Sequence, residues 1–432
     1  MSILNVNKIN PVGGGSTITI AGIASVTSSV TSPSFVGAVT GNVTGNVTGN
    51  VTGDATGLSG NPSINTTGIV TATSFVPTVG QLSHRNLIIN GDFQVAQRAS
   101  SSNNNGYTSV DRWKIESSNI THNSTKSQQS LSSSDTPYTL GFRRFARIAL
   151  AQAGVVAANS YVEFHHKMEA QNVSNSGWNY NSTSSFITLQ FWFRCSTNQT
   201  FYAWVTSTDG TNKRFTFSFT ASGNNAWTKV TKTIPGASGI QIDNDNGEGF
   251  NVVIAPFYGT DYTGSVSLDT WVTKNDATHS PDYASTWLTA GASTFDITGV
   301  QLEVGPVATP FEHRSHADEL RRCQRYFIRI PDQNASSGYY FLAQGAGHDN
   351  NAFLCNLHFP TTMRSNPSLT TTGSLRAYNG GTVTISSIIL NTSSVAGACL
   401  QIAVSSGISP KDAVSLGQNN DSDASVQFTA EL

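Results

Sequence analysis

The four-residue unit T-G-N-V recurs along Val39 to Gly60, VTGNVTGNVTGNVTGDATGLSG, before decaying into D-A-T-G and L-S-G. Internal repetition of this kind constrains the architecture before any other feature. A collagen triple helix is excluded, because it needs glycine at every third position and the spacing here is four. Ordering one unit costs about 1 to 2 kcal/mol of backbone entropy per residue, so roughly 4 to 8 kcal/mol, whereas burying its single valine returns only ~1.5 to 3 kcal/mol. A lone copy therefore does not fold. Stability follows if several copies wrap together, with Val43, Val47 and Val51 filling a shared axis and glycine permitting tight winding. A flexible Gly/Thr linker is the alternative reading of the same composition.

A longer repetition frames this segment. Gly22-Ile23-Ala24-Ser25-Val26-Thr27 and Ser34-Phe35-Val36 resemble Gly68-Ile69-Val70-Thr71-Ala72-Thr73 and Ser74-Phe75-Val76, and their alternation of apolar with Thr/Ser residues predicts β-strands. Upstream, Ile3, Val6 and Ile9 lead through Pro11-Val12-Gly13-Gly14-Gly15 into Ser16-Thr17-Ile18-Thr19-Ile20, a short strand, turn and strand suited to adding onto a partner sheet. Residues 1–83 are thus expected to form an attachment segment and an intertwined β-shaft.

Charged residues make up 12% of the chain, and its formal charge is -2. A globular protein usually carries about 25% charged residues, roughly twice as many. With 22 Phe, 12 Tyr and 7 Trp there is enough aromatic material for folded cores, unlike a disordered chain. Near-neutrality argues against nucleic acid, since the one tight basic cluster is Arg321, Arg322 and Arg325. A membrane span needs an apolar run of about 20 residues, and the sequence contains none. No charged n-region with an apolar stretch and cleavage site opens the chain. The expectation is a soluble protein outside the general secretory route, without membrane insertion. Four widely spaced cysteines (Cys195, Cys323, Cys355, Cys399), with no C-x-x-C, predict reduced and mostly buried thiols.

Leu87 to Phe311 reads as short alternating strands separated by Gly, Asn and Ser turns, an antiparallel sandwich. In FITLQFWFR (Phe186 to Arg194), Ile187, Leu189, Phe191 and Phe193 share one face, and Phe186, Thr188, Gln190, Trp192 and Arg194 the other. In FYAWVT, Phe201, Ala203 and Val205 alternate with Tyr202, Trp204 and Thr206, and Phe215, Phe217 and Phe219 repeat the period. A face mixing Trp and Tyr with Asn, Gln and Arg suits a sugar, whose C–H face stacks on an aromatic ring while amides and guanidinium hold its hydroxyls. Trp192, Arg194, Tyr202 and Trp204 are the candidate carbohydrate-contacting residues, with Trp178 and Tyr180 of the loop SGWNYNS as a second group. Packing against a loop or a neighbouring subunit would use the same rings equally well.

HRNLIINGDFQVAQR (His84 to Arg98), Val110-Asp111-Arg112-Trp113 and FDITGVQLEVGPVATPFEHR (Phe295 to Arg314) resemble the opening and closing strands of carbohydrate-binding-module-like jelly rolls in phage tail fibres. The GNVTG repeats likewise look like a tail-fibre shaft. The resemblance implies a homotrimer that attaches to a tail or baseplate protein through its N-terminus and takes host-surface glycans as ligand. It implies a virion component, assembled in the host cytoplasm. It also implies a structural calcium shared by the first and last strands, pointing to Asp92 and Glu303; Asp92 in N-G-D-F reads equally as a turn residue. No other cofactor is expected.

Ser315-His316-Ala317-Asp318 is an N-cap with an acidic residue at N3, and Arg321, Arg322 and Arg325 follow toward the C-terminus, so a helix is expected there. The boundaries expected are a jelly roll over 84–313, a linking helix over 314–328 and a smaller β-domain over 329–432. In the last, Tyr339–Leu342, Phe353–Phe359, Thr382–Leu390, Leu400–Val404 and Val426–Phe428 read as strands. The whole is all-β.

G-x-S-x-G, Walker A, H-E-x-x-H and Rossmann glycine patterns are absent from the sequence, and the chain is expected not to be an enzyme. The functional expectation is a trimeric adhesin binding lipopolysaccharide or capsule. A polysaccharide depolymerase is the alternative, resting on Asp243, Asp245 and Glu248 of QIDNDNGEGF. Glycosidases need two carboxylates within roughly 10 Å of each other, and this is the densest acidic cluster. A purely structural spacer is the other alternative. His165-His166 would point to opposite faces of a strand and could not easily share an ion, and His313-x-x-His316 reads as a helix start.

Overall fold

The alternating runs of the middle region close into a two-sheet sandwich in the computed structural model, which describes residues 84–120, 124–332 and 338–432 together with Gly13. The repeat shaft, with Val43, Val47 and Val51, lies outside the described residues. In chain order the first strands are β1 Ser101–Ser102, β2 Trp113–Ser118, β3 Ser124–Ser130, β4 Arg144–Leu150, β5 Tyr161–Glu169 and β6 Phe186–Cys195. They continue with β7 Thr200–Ser207, β8 Lys213–Thr220, β9 Thr228–Pro235, β10 Glu248–Tyr258, β11 Trp271–Thr273 and β12 Ser293–Val304. One sheet runs β1-β3-β4-β12-β6-β9 and the other β11-β8-β7-β10-β5-β2, all neighbours antiparallel.

The period-2 pattern explains the core. Phe191 and Phe193 of β6, Phe201 and Val205 of β7 and Phe215, Phe217 and Phe219 of β8 all turn inward and are buried. Rings meet across the layer: Phe193 and Phe219 are 4.8 Å apart edge-on, and Phe201 and Phe295 of β12 are 5.0 Å apart. The opening and closing segments interlock as well. Leu87 N–H donates to the Leu302 carbonyl and Val300 N–H to the Gly91 carbonyl, both at 2.8 Å.

The expected helix spans His316–Gln324, and Ser315 caps it by accepting from the Asp318 N–H at 3.2 Å. Beyond it come β13 Phe327–Ile330, β14 Phe341–Asp349, β15 Ala352–His358, β16 Ser368–Thr372 and β17 Leu375–Tyr378. The chain finishes with β18 Thr382–Ser394, β19 Gly397–Val404, β20 Ala413–Gln418 and β21 Ser425–Thr429. β13, β21 and β16 form a small sheet, and β14-β15-β19-β18-β17-β20 close into a barrel. Arginines fasten this part to the sandwich. Arg112, fully buried, pairs with Glu431 and stacks 3.4 Å above Tyr326. Arg325 forks onto Glu169, its Nε at 2.6 Å and its Nη2 at 2.7 Å. Such two-pronged contacts fix direction as well as distance. All four cysteines are free thiols, three of them buried.

Candidate functional site

Where Ile187, Leu189, Phe191 and Phe193 face the core, their neighbours on β6 must face out, and register then assembles the outer face of the first sheet. Trp192 lies beside Thr298 of β12 and Lys229 of β9, Arg194 beside Asp296, and Asp296 beside Arg147 of β4. Asp296 is completely buried and receives two guanidinium groups: Arg147 at 2.7 and 2.8 Å, and Arg194 at 3.0 and 2.9 Å. Arg194 reaches on to Asp135 at 3.1 Å and lies over the Trp227 ring at 4.6 Å. Phe145 stands edge-on to Trp227, centroids 5.5 Å apart. Buried charges in a fully paired network of this kind hold one geometry, so the platform is rigid.

Next to the platform is a groove of about 400 Å³ lined by Phe142, Gln190, Trp192, Lys229, Phe311 and His313, among others. Its floor depends on Gly299. The β12–β6 pairing breaks register between Thr298 and Gln301, and Gly299 sits there at φ +63°, a bulge glycine. A Cβ on Gly299 would lie 2.7 Å from the Phe142 ring, so glycine lets that ring rest directly on the strand. Phe311 meets Phe142 at 4.9 Å, and His313 closes the trio at 5.0 to 5.1 Å with its Nε2 3.0 Å from the Leu140 carbonyl. Gln190 donates to the Thr309 carbonyl at 2.6 Å. Half-buried Trp192 and exposed Lys229 complete the wall.

The expected sugar-binding residues divide between two sheets. Trp192 and Arg194 are on this platform, whereas Tyr202 and Trp204 are on the outer face of the opposite sheet and are 8% and 2% exposed. There the segment 259–285 folds across them: Tyr283 packs on Tyr202 at 4.9 Å and His279 on Trp204 at 5.4 Å. Both rings are structural, which corrects the expectation for them. Trp178 is corrected likewise, since it is 3% exposed in the main core against Phe250 at 5.7 Å. Half-buried Tyr180 packs on that core and donates its hydroxyl to the Ile242 carbonyl at 3.3 Å.

Asp92 and Glu303 have different surroundings. Glu303 accepts from Thr309 N–H at 2.8 Å, Thr309 Oγ1 at 2.6 Å and Gln301 Nε2 at 2.9 Å, and is thereby held by its own strand and the loop that follows. Asp92 is raised to about 6 by burial and by Glu319, not by Glu303. Among the described residues no three His, Cys, Asp or Glu side chains gather into a metal-binding group. Of the acidic trio, Glu248 is held by Lys167 at 2.7 Å and Asn251 at 2.8 Å, while the Asp243 N–H donates to Asp209. His166 is buried against Trp113, whereas His165 lies 3.6 Å from Glu163 on the other face of β5.

Phe142, Phe145, Trp227 and Asp296 were not foreseen as site residues. Trp227 carried a usable signal, because it immediately precedes β9 in phase with Lys229 and Thr231. Phe142 carried none, since a long-range contact with Gly299 places it.

Neither a protein-family model nor a curated protein sequence matches the chain. Among solved structures it is similar to the enzymatically active domain of tailspike protein 4 of bacteriophage CBA120, at 8% identity and TM-score 0.26, over 51% of this chain and 21% of that one. It is also similar to the N-terminal cellulose-binding domain of Cellulomonas fimi β-1,4-glucanase C, at 9% identity and TM-score 0.23, over 50% and 99%. A third is the family 11 carbohydrate-binding module of Clostridium thermocellum, in complex with a mixed-linked tetrasaccharide, at 8% identity and TM-score 0.23, over 48% and 96%. The chain spans about a fifth of the tailspike chain's length, and at these scores the likenesses fix neither ligand nor activity.

Proposed function

We propose that the chain is a glycan-binding adhesin of a phage tail fibre, and that the groove beside Trp192 receives the saccharide. The observation that carries this reading is a half-buried indole at the rim of a groove walled by Gln190, Lys229 and His313. An aromatic face with a few fixed polar groups around it suits a pyranose, whose C–H face is apolar and whose edge is hydroxyl-rich. Binding without hydrolysis is supported by the carboxylates present. Asp296 is committed to Arg147 and Arg194, and Asp135 to Arg194, so both carboxylates already serve the guanidinium network rather than a glycosidic bond.

The fibre part of the proposal rests on the T-G-N-V repeat, whose energetics favour assembly of several copies; a homotrimer joined through residues 1–83 and anchored by them to a tail or baseplate protein fits it. Lipopolysaccharide or capsule on a host cell is then the surface it meets, and the virion tail its location. The test is an array of bacterial surface polysaccharides, screened with the intact chain and with Trp192→Ala. Signals on defined glycans that vanish in the variant support the reading; an array silent to the intact protein overturns it. The solution mass of the intact chain, beside a fragment starting at His84, tests the fibre part: a trimer is expected only with residues 1–83.

A further inference from the structure

A second patch of exposed rings lies on the outside of the C-terminal barrel, far along the chain from the groove. Phe341 is 45% exposed, Tyr378 37%, Tyr339 49% and Tyr340 52%. Side chains of this size are seldom left so open in one place. Strand register explains how they converge. Phe341 of β14 pairs with Gly417 of β20, Gly417 with Arg376 of β17, and Arg376 with Thr384 of β18, so these four make one row across the barrel's outer face. The adjoining row carries Gln344, Ser415, Tyr378 and Thr382.

Gly417 is what lays Phe341 down. A Cβ there would come within 3.0 Å of the Phe341 ring, so the missing side chain lets that ring lie over the strand with its other side in solvent. Tyr378 stands 5.6 Å away, tilted 58°. Between them rises Arg376, its guanidinium 5.7 Å from the Phe341 ring, 5.4 Å from Tyr378 and 4.9 Å from Tyr339.

Arg376 is under-used. Its one hydrogen bond runs from Nη1 to Thr382 Oγ1 at 3.0 Å, its Nε is buried without a partner, and it makes no ion pair among the described residues. The Nη1–Nη2 end of a guanidinium presents parallel N–H groups that match the two oxygens of a carboxylate. The surrounding Thr382, Thr384, Ser415 and Gln344 supply hydroxyl and amide groups where the dry core of a protein interface would have aliphatic ones.

We propose that this face is a second saccharide site, specific for a sugar bearing a carboxylate, such as a uronic acid, with its ring on Phe341 and Tyr378 and its carboxylate on the Nη end of the Arg376 guanidinium. The site shares no residue with the Trp192 groove.

The experiment is calorimetric titration of the full-length protein with tetragalacturonate, tetraguluronate and sialyllactose, and with the methyl esters of the two uronates and lactose as their uncharged controls. At least one acid is expected to bind at least tenfold more tightly than its neutral counterpart. Arg376→Lys, which keeps the charge but loses the fork, should weaken that binding about tenfold with an unchanged melting temperature, and Trp192→Ala should leave it intact. Equal affinity for acid and neutral counterpart, indifference to Arg376→Lys, or no binding of any of the three acids overturns the proposal. So does a fall in the protein's solution mass on Arg376→Lys, which would make the patch a contact between copies.

Discussion

The imidazole of His279 lies tilted over the indole of Trp204, ring centroids 5.4 Å apart, and seals the outer face of the second sheet. Burial, with Arg214 and Lys274 nearby, lowers His279 to about 4 against Asp276 and Glu163, whose carboxylates push it the other way. In the unfolded chain it titrates near 6.5, so the unfolded state binds the extra proton first as pH drops. The stability that the neutral ring allows is complete above pH 6.5 and declines between 6.5 and about 4, by on the order of 3 kcal/mol. Melting temperature against pH checks this: His279→Phe, which keeps a ring on Trp204, is expected to flatten the profile in that window.

Trp192 and Trp204 should part company on mutation. Trp204→Ala empties a buried site and is expected to cost about 3 to 5 kcal/mol in chemical denaturation, with saccharide affinity per folded molecule unchanged. Trp192→Ala should change stability by less than about 1 kcal/mol and weaken binding by roughly 1 to 3 kcal/mol, about 5- to 150-fold.

Gly299→Ala tests the groove floor. The added methyl meets Phe142 at 2.7 Å in a backbone conformation that favours glycine. A loss of about 1 to 3 kcal/mol is expected. Displacement of Phe142 should also weaken saccharide binding, which a control such as Gly291→Ala, at a positive φ with nothing within 4 Å of the added Cβ, should not do.

Glu169 joins the sandwich to the chain beyond the helix. Burial alone would raise its carboxyl, but the hydrogen bonds from Arg325 and Tyr326 outweigh it and hold the group below the usual 4.5. Its contribution is therefore present above that value and lost as pH falls through the lowered one. Glu169→Gln strands the Arg325 guanidinium and is expected to cost about 3 to 5 kcal/mol, read from denaturant midpoints; Glu169→Leu with Arg325→Met should recover much of that.

Sequence periodicity placed β6, β7 and β8 and assigned each residue on them to an inward or outward face, because side-chain direction in a strand is local. Which outward face stays open is not local. Trp192 and Trp204 alternate with core residues in the same way, and they differ only because 259–285 crosses one sheet and not the other. The Asp296 network was hidden for a similar reason: Arg147, Arg194 and Asp296 are far apart in sequence and meet through the pairing of β4, β12 and β6. Ser315 and the helix it caps were legible, since a cap acts within one turn.

Oxidative footprinting of the intact protein, with and without the saccharide that binds it best, tests the central claim most directly, because it reads each of the seven tryptophans separately. Protection concentrated at Trp192, with Trp204 and Trp178 unreactive in both states, is the predicted result. Undiminished oxidation of Trp192 under saturating saccharide would contradict it.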